Sequence, residues 1–156
     1  MIKKCLTIAG SDSSGGAGVQ ADLKTFSALG TYGMSCISAL TAQNTQGVDK
    51  VENVSQAMIR GQLAAIYSDI VPDAVKTGML SCRETVETVA GFLESHNQAP
   101  LVVDPVMVAT TGARLLDEEA IISYKERLIP LATLVTPNIP EAEVLSGMAI
   151  HTEEDM

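Results

Sequence analysis

The sequence predicts an α/β fold in which a mainly parallel sheet is covered by helices on both faces. Two observations carry this prediction. Short apolar runs alternate along the 156 residues with segments whose apolar side chains recur at helical spacing, and strands that alternate with helices of about 10 to 15 residues form parallel sheets. Apolar residues also make up 46% of the chain, which is enough to build a core without disulfides or metal ions.

Five short apolar runs are predicted to form the strands of this sheet. The first begins at Lys4 and ends before Gly10, and the fourth is a continuous apolar run that closes on Asp104. Runs of this length, bounded by glycine or polar residues, are typical of buried strands. The five predicted strands cover residues 4–9, 35–42, 73–77, 101–104 and 134–136.

Five segments between and after these runs are predicted to be helices. Most show apolar side chains at helical spacing. The third begins with the capping-box pattern Ser81 to Glu84, the fourth places acids in its first turn, where the helix dipole favours them, and Pro140 suits the first position of the fifth. The predicted helices cover residues 18–29, 55–70, 81–93, 117–128 and 140–147.

The composition is acidic and poor in aromatic residues, which limits the classes of partner. The formal net charge is −9 and aromatic residues are 3% of the chain. Nucleic-acid binding depends on clustered basic residues and aromatic stacking, so a nucleic-acid partner is not expected. The longest uncharged stretch, residues 25–48, is too polar for a membrane span. Three widely spaced cysteines favour neither disulfides nor a zinc site and predict a reducing, cytoplasmic location.

A glycine-rich segment, residues 10–18, follows the first strand, at the edge of the sheet where α/β proteins bind ligands. Its backbone N–H groups could converge on an anion at the start of the next helix, and residues 16–21 match the G-x-G-x-x-A dinucleotide fingerprint. A glycine-rich turn without a ligand also explains the pattern. Asp22, in the helix that follows, could bind a polar ligand or complement the helix N-terminus, and both readings stay open here.

Acidic and amide side chains follow two later strands. Asp104 ends the fourth strand, and Asn138 and Glu141 follow the fifth with the spacing N-x-x-E. Phosphoryl transfer uses Mg²⁺ held by oxygen ligands near the phosphate, and these residues carry suitable oxygens at the suitable edge. The spacing alone slightly favours a structural explanation, because Asn138 could cap a helix and Glu141 could lie in its first turn.

Six sequence blocks are spread over nearly the whole chain in a specific order. They are residues 6–18 (LTIAGSDSSGGAG), 20–26 (QADLKTF), 41–48 (TAQNTQGV), 76–80 (KTGML), 103–107 (VDPVM) and 136–143 (TPNIPEAE). Together they resemble the hydroxymethylpyrimidine/phosphomethylpyrimidine kinases of thiamine biosynthesis. That family belongs to the ribokinase-like superfamily, so the resemblance implies a three-layer α/β sandwich with a mainly parallel central sheet.

The resemblance implies a kinase that uses ATP and Mg²⁺ to phosphorylate 4-amino-5-hydroxymethyl-2-methylpyrimidine and then its monophosphate. It also implies roles for individual residues. The residues that match the pyrimidine pocket are Gly10, Asp22, Gln43 and Met79. The residues that match the ATP-phosphate and metal region are Asn138, Glu141 and Asp104, with Asp104 and Glu141 as the metal ligands. Residues 109–116, which include Gly112, match a flap over the substrate.

One motif of the family has no counterpart in these 156 residues. It is a glycine-rich G-x-G-[D/C] turn that supplies an anion hole and the general base. We therefore expect residues 1–156 to be the N-terminal portion of a single ribokinase-like kinase domain, with the base beyond Met156 and little turnover by this portion alone. The full-length enzyme is expected to be a homodimer.

Three alternatives to the pyrimidine kinase stay open. The first is a pyridoxine/pyridoxal kinase of the same superfamily, because both acceptors are flat heteroaromatic rings that bear a hydroxymethyl group. The second is a non-catalytic module that keeps the pyrimidine pocket without the chemistry. The third and weakest is an NAD-dependent oxidoreductase, which depends only on the glycines of residues 16–18.

Overall fold

The computed structural model describes residues 1–107, 116, 118–152 and 155, and a six-stranded sheet lies at its centre. The strands are β1 (Lys4–Asp12), β2 (Tyr32–Asn44), β3 (Gly47–Asn53), β4 (Ala74–Thr77), β5 (Leu101–Val103) and β6 (Leu134–Val135). The helices are α1 (Gly18–Ala28), α2 (Gln56–Tyr67), α3 (Arg83–His96), α4 (Glu118–Ser123) and α5 (Ile139–Ser146). A π-helical turn (Tyr124–Leu128) and a 3-10 turn (Ile129–Leu131) follow α4.

The strands lie in the order β3-β2-β1-β4-β5-β6, and every neighbouring pair is parallel except β2 and β3. This confirms the predicted mainly parallel α/β sheet. From β1 the chain adds β2 and β3 on one side and then crosses to β4 on the other. The direction of winding therefore reverses at β1 and β4, and open α/β sheets bind ligands beyond the carboxyl ends of the strands at such a point.

Side chains of β1 alternate between two layers of helices. Leu6 and Ile8 lie in the core cluster together with apolar residues of α2 and α3, whereas the Thr7 hydroxyl donates a hydrogen bond to Asp22 of α1. The sheet therefore has α2 and α3 on one face and α1 on the other, which confirms the three-layer arrangement. Among the described residues, no helix combines the length and the apolar character that a membrane crossing requires.

Strand β3 is absent from the sequence prediction, and its composition explains why. Its sequence, GVDKVEN, leaves most side chains exposed, so it lacks the apolar alternation that indicates a strand. It forms because the turn at residues 45–46 folds the chain directly back onto β2, where antiparallel backbone pairing holds it. The charged side chains Asp49 and Lys50 suit an exposed sheet edge, because they oppose pairing with a further strand.

Several element boundaries differ from the prediction, and two differences bear on the site. β1 continues to Asp12, beyond the predicted end at residue 9, through an irregularity in register between Ala9 and Ser11. The predicted helix of residues 117–128 is divided, because α4 gives way to the π-helical turn at Tyr124. Turns of this kind are rare and frequently occur at functional sites.

Candidate functional site

A cavity of about 320 Å³ opens beyond the carboxyl ends of β1, β4 and β5. The side chain or backbone of each residue that the resemblance assigns to the pyrimidine lines this cavity, and Asp104 lines it as well. These residues are Gly10, Asp22, Gln43, Met79 and Asp104. The fold therefore brings together residues that come from α1 and from the ends of four strands or the segments after them, although their roles toward a ligand stay predictions.

Asp22 is held by two neighbours in the sheet. The Thr7 hydroxyl donates a hydrogen bond of 2.6 Å to its Oδ2, and Lys76 Nζ lies 3.2 Å from its Oδ1. Only 16% of the Asp22 side chain is exposed. A carboxylate so placed needs partners, and the protein supplies two of them while the residue still faces the cavity.

Lys76 is a cavity residue that the sequence analysis does not assign. Its ammonium lies 3.2 Å from Asp22 Oδ1 and 3.4 Å from Asp104 Oδ2, so one cation joins the two acids of the cavity. The sequence does carry a signal for it, because Lys76 lies inside the predicted strand of residues 73–77. In the structure this strand is central and parallel, and Val75 and Thr77 are buried on either side of the lysine. A lysine in such a position requires a charged partner or a function.

The carboxylate of Asp12 is hydrogen-bonded to backbone amides of the glycine-rich segment. It accepts hydrogen bonds from the backbone N–H groups of Ser14 (2.8 Å), Gly16 (2.9 Å) and Ala17 (2.8 Å). Burial alone would raise the pKa of Asp12, but these hydrogen bonds and one from the Ser14 hydroxyl hold it below its usual value. As to the two readings of this segment, the structure shows three of its amides bonded to the protein's own carboxylate.

Two glycines lie beside the cavity, and at Gly18 a side chain would meet backbone. Gly18, at the start of α1, has φ +57°, and a Cβ there would lie 2.3 Å from the carbonyl oxygen of Gly10. A Cβ on Gly10 would lie 2.5 Å from the terminal methyl carbon of Met79, which is the flexible end of a side chain. Glycine is therefore required at Gly18, where α1 approaches β1 closely, whereas a side chain at Gly10 would displace the Met79 methyl group.

Gln43 is placed by contacts at the end of β2. The Ser13 hydroxyl donates to its carbonyl oxygen (2.7 Å) and accepts from its N–H (2.9 Å). The Thr41 hydroxyl donates to Gln43 Oε1 at 3.1 Å. The glycine-rich segment and β2 thus fix the backbone of Gln43, and its side-chain amide can exchange hydrogen bonds with a polar ligand.

Asn138 and Glu141 form a capping box at the start of α5. Asn138 Oδ1 accepts from the Glu141 N–H at 2.9 Å, and Glu141 Oε2 accepts from the Asn138 N–H at 3.0 Å. Glu141 is buried, and its Oε1 accepts from the N–H of Met107 at 3.2 Å. Neither residue is among the described residues that line the cavity. Their contacts match the structural explanation, and they join α5 to the segment that carries Asp104.

The described residues supply only some of the ligands that a metal ion would need. Within residues 1–107, 116, 118–152 and 155, no three His, Cys, Asp or Glu side chains converge as metal ligands. Mg²⁺ usually takes one or two carboxylates and completes its shell with water and phosphate oxygens, so Asp104 at the cavity fits such an ion without a preformed cluster. The flap expected at residues 109–116 lies outside the described residues, apart from Leu116, which is buried.

Comparison with known protein families identifies relatives over nearly the whole chain. A family model described as "Phosphomethylpyrimidine kinase" matches residues 12–156. The thiamine biosynthesis bifunctional protein ThiED of Geobacter sulfurreducens is 57% identical over 97% of this chain and 31% of the relative. The hydroxymethylpyrimidine/phosphomethylpyrimidine kinase of Rhizobium meliloti is 54% identical over 99% of this chain and 58% of the relative. The chain thus spans little more than half, or less, of these relatives.

Two solved structures share the fold. The crystal structure of a phosphomethylpyrimidine kinase from Clostridium difficile superposes with a TM-score of 0.93 at 54% identity and covers 98% of this chain and 66% of that one. The pyridoxal kinase of Staphylococcus aureus in complex with AMP-PCP and pyridoxal has a TM-score of 0.87 at 41% identity and covers 99% of this chain and 55% of that one.

Proposed function

The chain belongs to the phosphomethylpyrimidine kinase family, and from this membership we propose that it supplies the acceptor site of an ATP-dependent kinase. The acceptor is 4-amino-5-hydroxymethyl-2-methylpyrimidine and then its monophosphate, in thiamine biosynthesis. The observation that carries the proposal is the shared cavity of Asp22, Gln43 and Met79, with Lys76 and Asp104 beside it.

The dimensions and chemistry of the cavity support a small heteroaromatic alcohol. A volume of about 320 Å³ suits one substituted ring. The Asp22 carboxylate can accept from an exocyclic amine, the Gln43 amide can pair with a ring nitrogen or hydroxyl, and the Met79 thioether offers an apolar contact for the ring face. A few convergent polar groups on an apolar wall are what such a ligand needs for orientation.

ATP and Mg²⁺ are proposed at the Asp104 side of the same cavity. The related pyridoxal kinase solved with AMP-PCP and pyridoxal supports ATP as the phosphoryl donor. When bound, Mg²⁺ would neutralise charge on the transferring phosphoryl group. Asp104 would hold it. Glu141 accepts one backbone amide on each of its oxygens and keeps a further lone pair on each with which it could bind the ion. Lys76 would keep Asp104 oriented towards the cavity.

Calorimetric titration of the chain with the hydroxymethylpyrimidine tests the proposal. We expect binding that weakens at least about tenfold in Asp22→Asn, because a charge-assisted hydrogen bond is lost. Asp49→Asn is the matched control, since Asp49 is exposed on β3, and it should bind as the wild type does. Absence of binding at millimolar pyrimidine would overturn the proposal.

Pyridoxal is the alternative acceptor, and the 41% identical pyridoxal kinase is the observation that favours it. The higher identity to the pyrimidine kinase structure, 54%, favours the pyrimidine. Titration with pyridoxal on the same protein decides between them, because tighter binding of pyridoxal would reverse the assignment. Binding of the pyrimidine without transfer of phosphate from ATP, in a longer protein that also carries the G-x-G-[D/C] turn, would instead support a non-catalytic binding module.

A further inference from the structure

We propose that Tyr124 is a positioning residue of the cavity, whose hydroxyl clamps the Gly78 carbonyl and so fixes the Met79 wall. Tyr124 lies in the π-helical turn after α4 and is fully buried. Gly78 and Met79 line the cavity. The inference rests on the proposed function only for the identity of the ligand, because the clamp itself is a property of the protein.

The clamp consists of one hydrogen bond to the residue before Met79. The Tyr124 hydroxyl donates to the carbonyl oxygen of Gly78 at 3.2 Å. That carbonyl belongs to the peptide group that joins Gly78 to Met79, so the bond holds the backbone on the N-terminal side of Met79.

A second hydroxyl completes the support of Met79. The Ser38 hydroxyl donates to the Met79 carbonyl oxygen at 2.7 Å, and the Gly78 N–H donates to Ile8 of β1 at 2.9 Å. The backbone of this segment is therefore fixed from β1, from β2 and from the π-helical turn. The Met79 side chain, packed against Gly10, is the part that meets a ligand.

The surroundings keep the Tyr124 hydroxyl protonated and therefore able to donate. Burial raises its pKa above the usual value, and the charges of Asp104 and Glu141 raise it further. A phenylalanine would fill the same space, but it would leave the Gly78 carbonyl without this partner. Buried polar groups that lose their partner destabilise the arrangement that holds them. The hydroxyl thus supports the Met79 segment in a way that the aromatic ring alone does not.

Tyr124→Phe tests the clamp, with Tyr67→Phe as the matched control. Tyr67 also carries a hydrogen-bonded hydroxyl, 3.0 Å from Asn97, but it is not among the described residues that line the cavity. The first readout is the ¹³C-methyl NMR spectrum of the methionines, with the Met79 signal assigned by Met79→Leu. We expect that signal to shift or broaden in Tyr124→Phe and to stay unchanged in Tyr67→Phe. An unchanged Met79 signal in Tyr124→Phe would overturn the proposal.

The second readout is the affinity for the hydroxymethylpyrimidine. We expect at least about a fivefold loss in Tyr124→Phe and none in Tyr67→Phe, even if both variants lose similar thermal stability. A shifted Met79 signal with wild-type affinity would refute the positioning role. If the wild type binds no pyrimidine, the proposed function fails, while the methyl signal still decides whether the clamp exists.

Ser38→Ala keeps the test decisive if Tyr124→Phe does not fold. It removes the other hydroxyl that holds the Met79 backbone. We expect it to displace the Met79 methyl signal and to weaken pyrimidine binding in the same direction. A Met79 signal and an affinity equal to those of the wild type would show that backbone clamping does not set the cavity wall, and they would overturn the proposal.

Discussion

Replacing Lys76 with methionine isolates the contribution of one ammonium group to the stability of the cavity. Methionine keeps a flexible, unbranched side chain that can fill much of the same space, so the change mainly removes the charge. Asp22 and Asp104 would then face the cavity without their shared cation. We expect the variant to fold with a lower free energy of unfolding and with a less ordered cavity.

The magnitude follows from distance and exposure. At 3.2 and 3.4 Å, Coulomb's law gives about 5 kcal/mol for each pair at an effective dielectric constant of about 20. Most of this attraction is offset by the cost of removing the ammonium and the carboxylates from water when the protein folds. The side chains are 16% exposed at Asp22, 27% at Lys76 and 33% at Asp104. The net loss therefore lies between the values for exposed and buried pairs, about 1–3 kcal/mol.

Urea unfolding followed by circular dichroism measures this loss, and Lys3→Met is its matched control. Lys3 lies 3.2 Å from Asp73, the same distance as in the Lys76–Asp22 pair, but its side chain is 73% exposed. Water screens that pair, so Lys3→Met should leave stability unchanged within error. Equal effects of the two substitutions would refute the argument that burial gives the Lys76 pairs their strength. Adding Asp104→Asn to Lys76→Met should recover part of the loss.

Three further substitutions test the structure around the site. Gly18→Ala should destabilise the protein by more than about 1–2 kcal/mol in thermal unfolding, because φ is +57° and the new Cβ would meet Gly10; wild-type stability would contradict the geometry. Asp12→Asn should cost about 1–3 kcal/mol. Because the folded pKa of Asp12 is lowered, that difference should be complete above about pH 4 and shrink as the pH falls further, whereas a difference independent of pH would refute the charged role. Glu141→Gln should lower stability by about 1–2 kcal/mol through its contacts in the α5 capping box. Unchanged stability in urea, with impaired Mg²⁺-dependent phosphoryl transfer when the substitution is made in the full-length enzyme, would assign Glu141 to the metal rather than to the helix.

Residue patterns in the sequence predict most of the elements because their signals are local. Apolar runs locate β1, β2, β4, β5 and β6. Of the two readings of Asn138 and Glu141, the capping box confirms the one that places them at a helix N-terminus. The rule that parallel sheets bind ligands beyond their strand ends points to the right edge of the molecule. The edge strand β3 is missed because its pairing depends on β2 rather than on its own apolar pattern.

The fold class and the residues that reach the strand ends follow from the sequence alone, because helical and strand periodicity depend on residues that are close together in the chain. Only the tertiary structure decides which charges meet. Lys76 and Asp22 are 54 residues apart in the chain, and Tyr124 and Gly78 are 46 apart. Their contacts exist because β1 lies beside β4 and the π-helical turn packs behind them. Strand order and close packing, rather than local sequence, thus determine the electrostatics of the cavity.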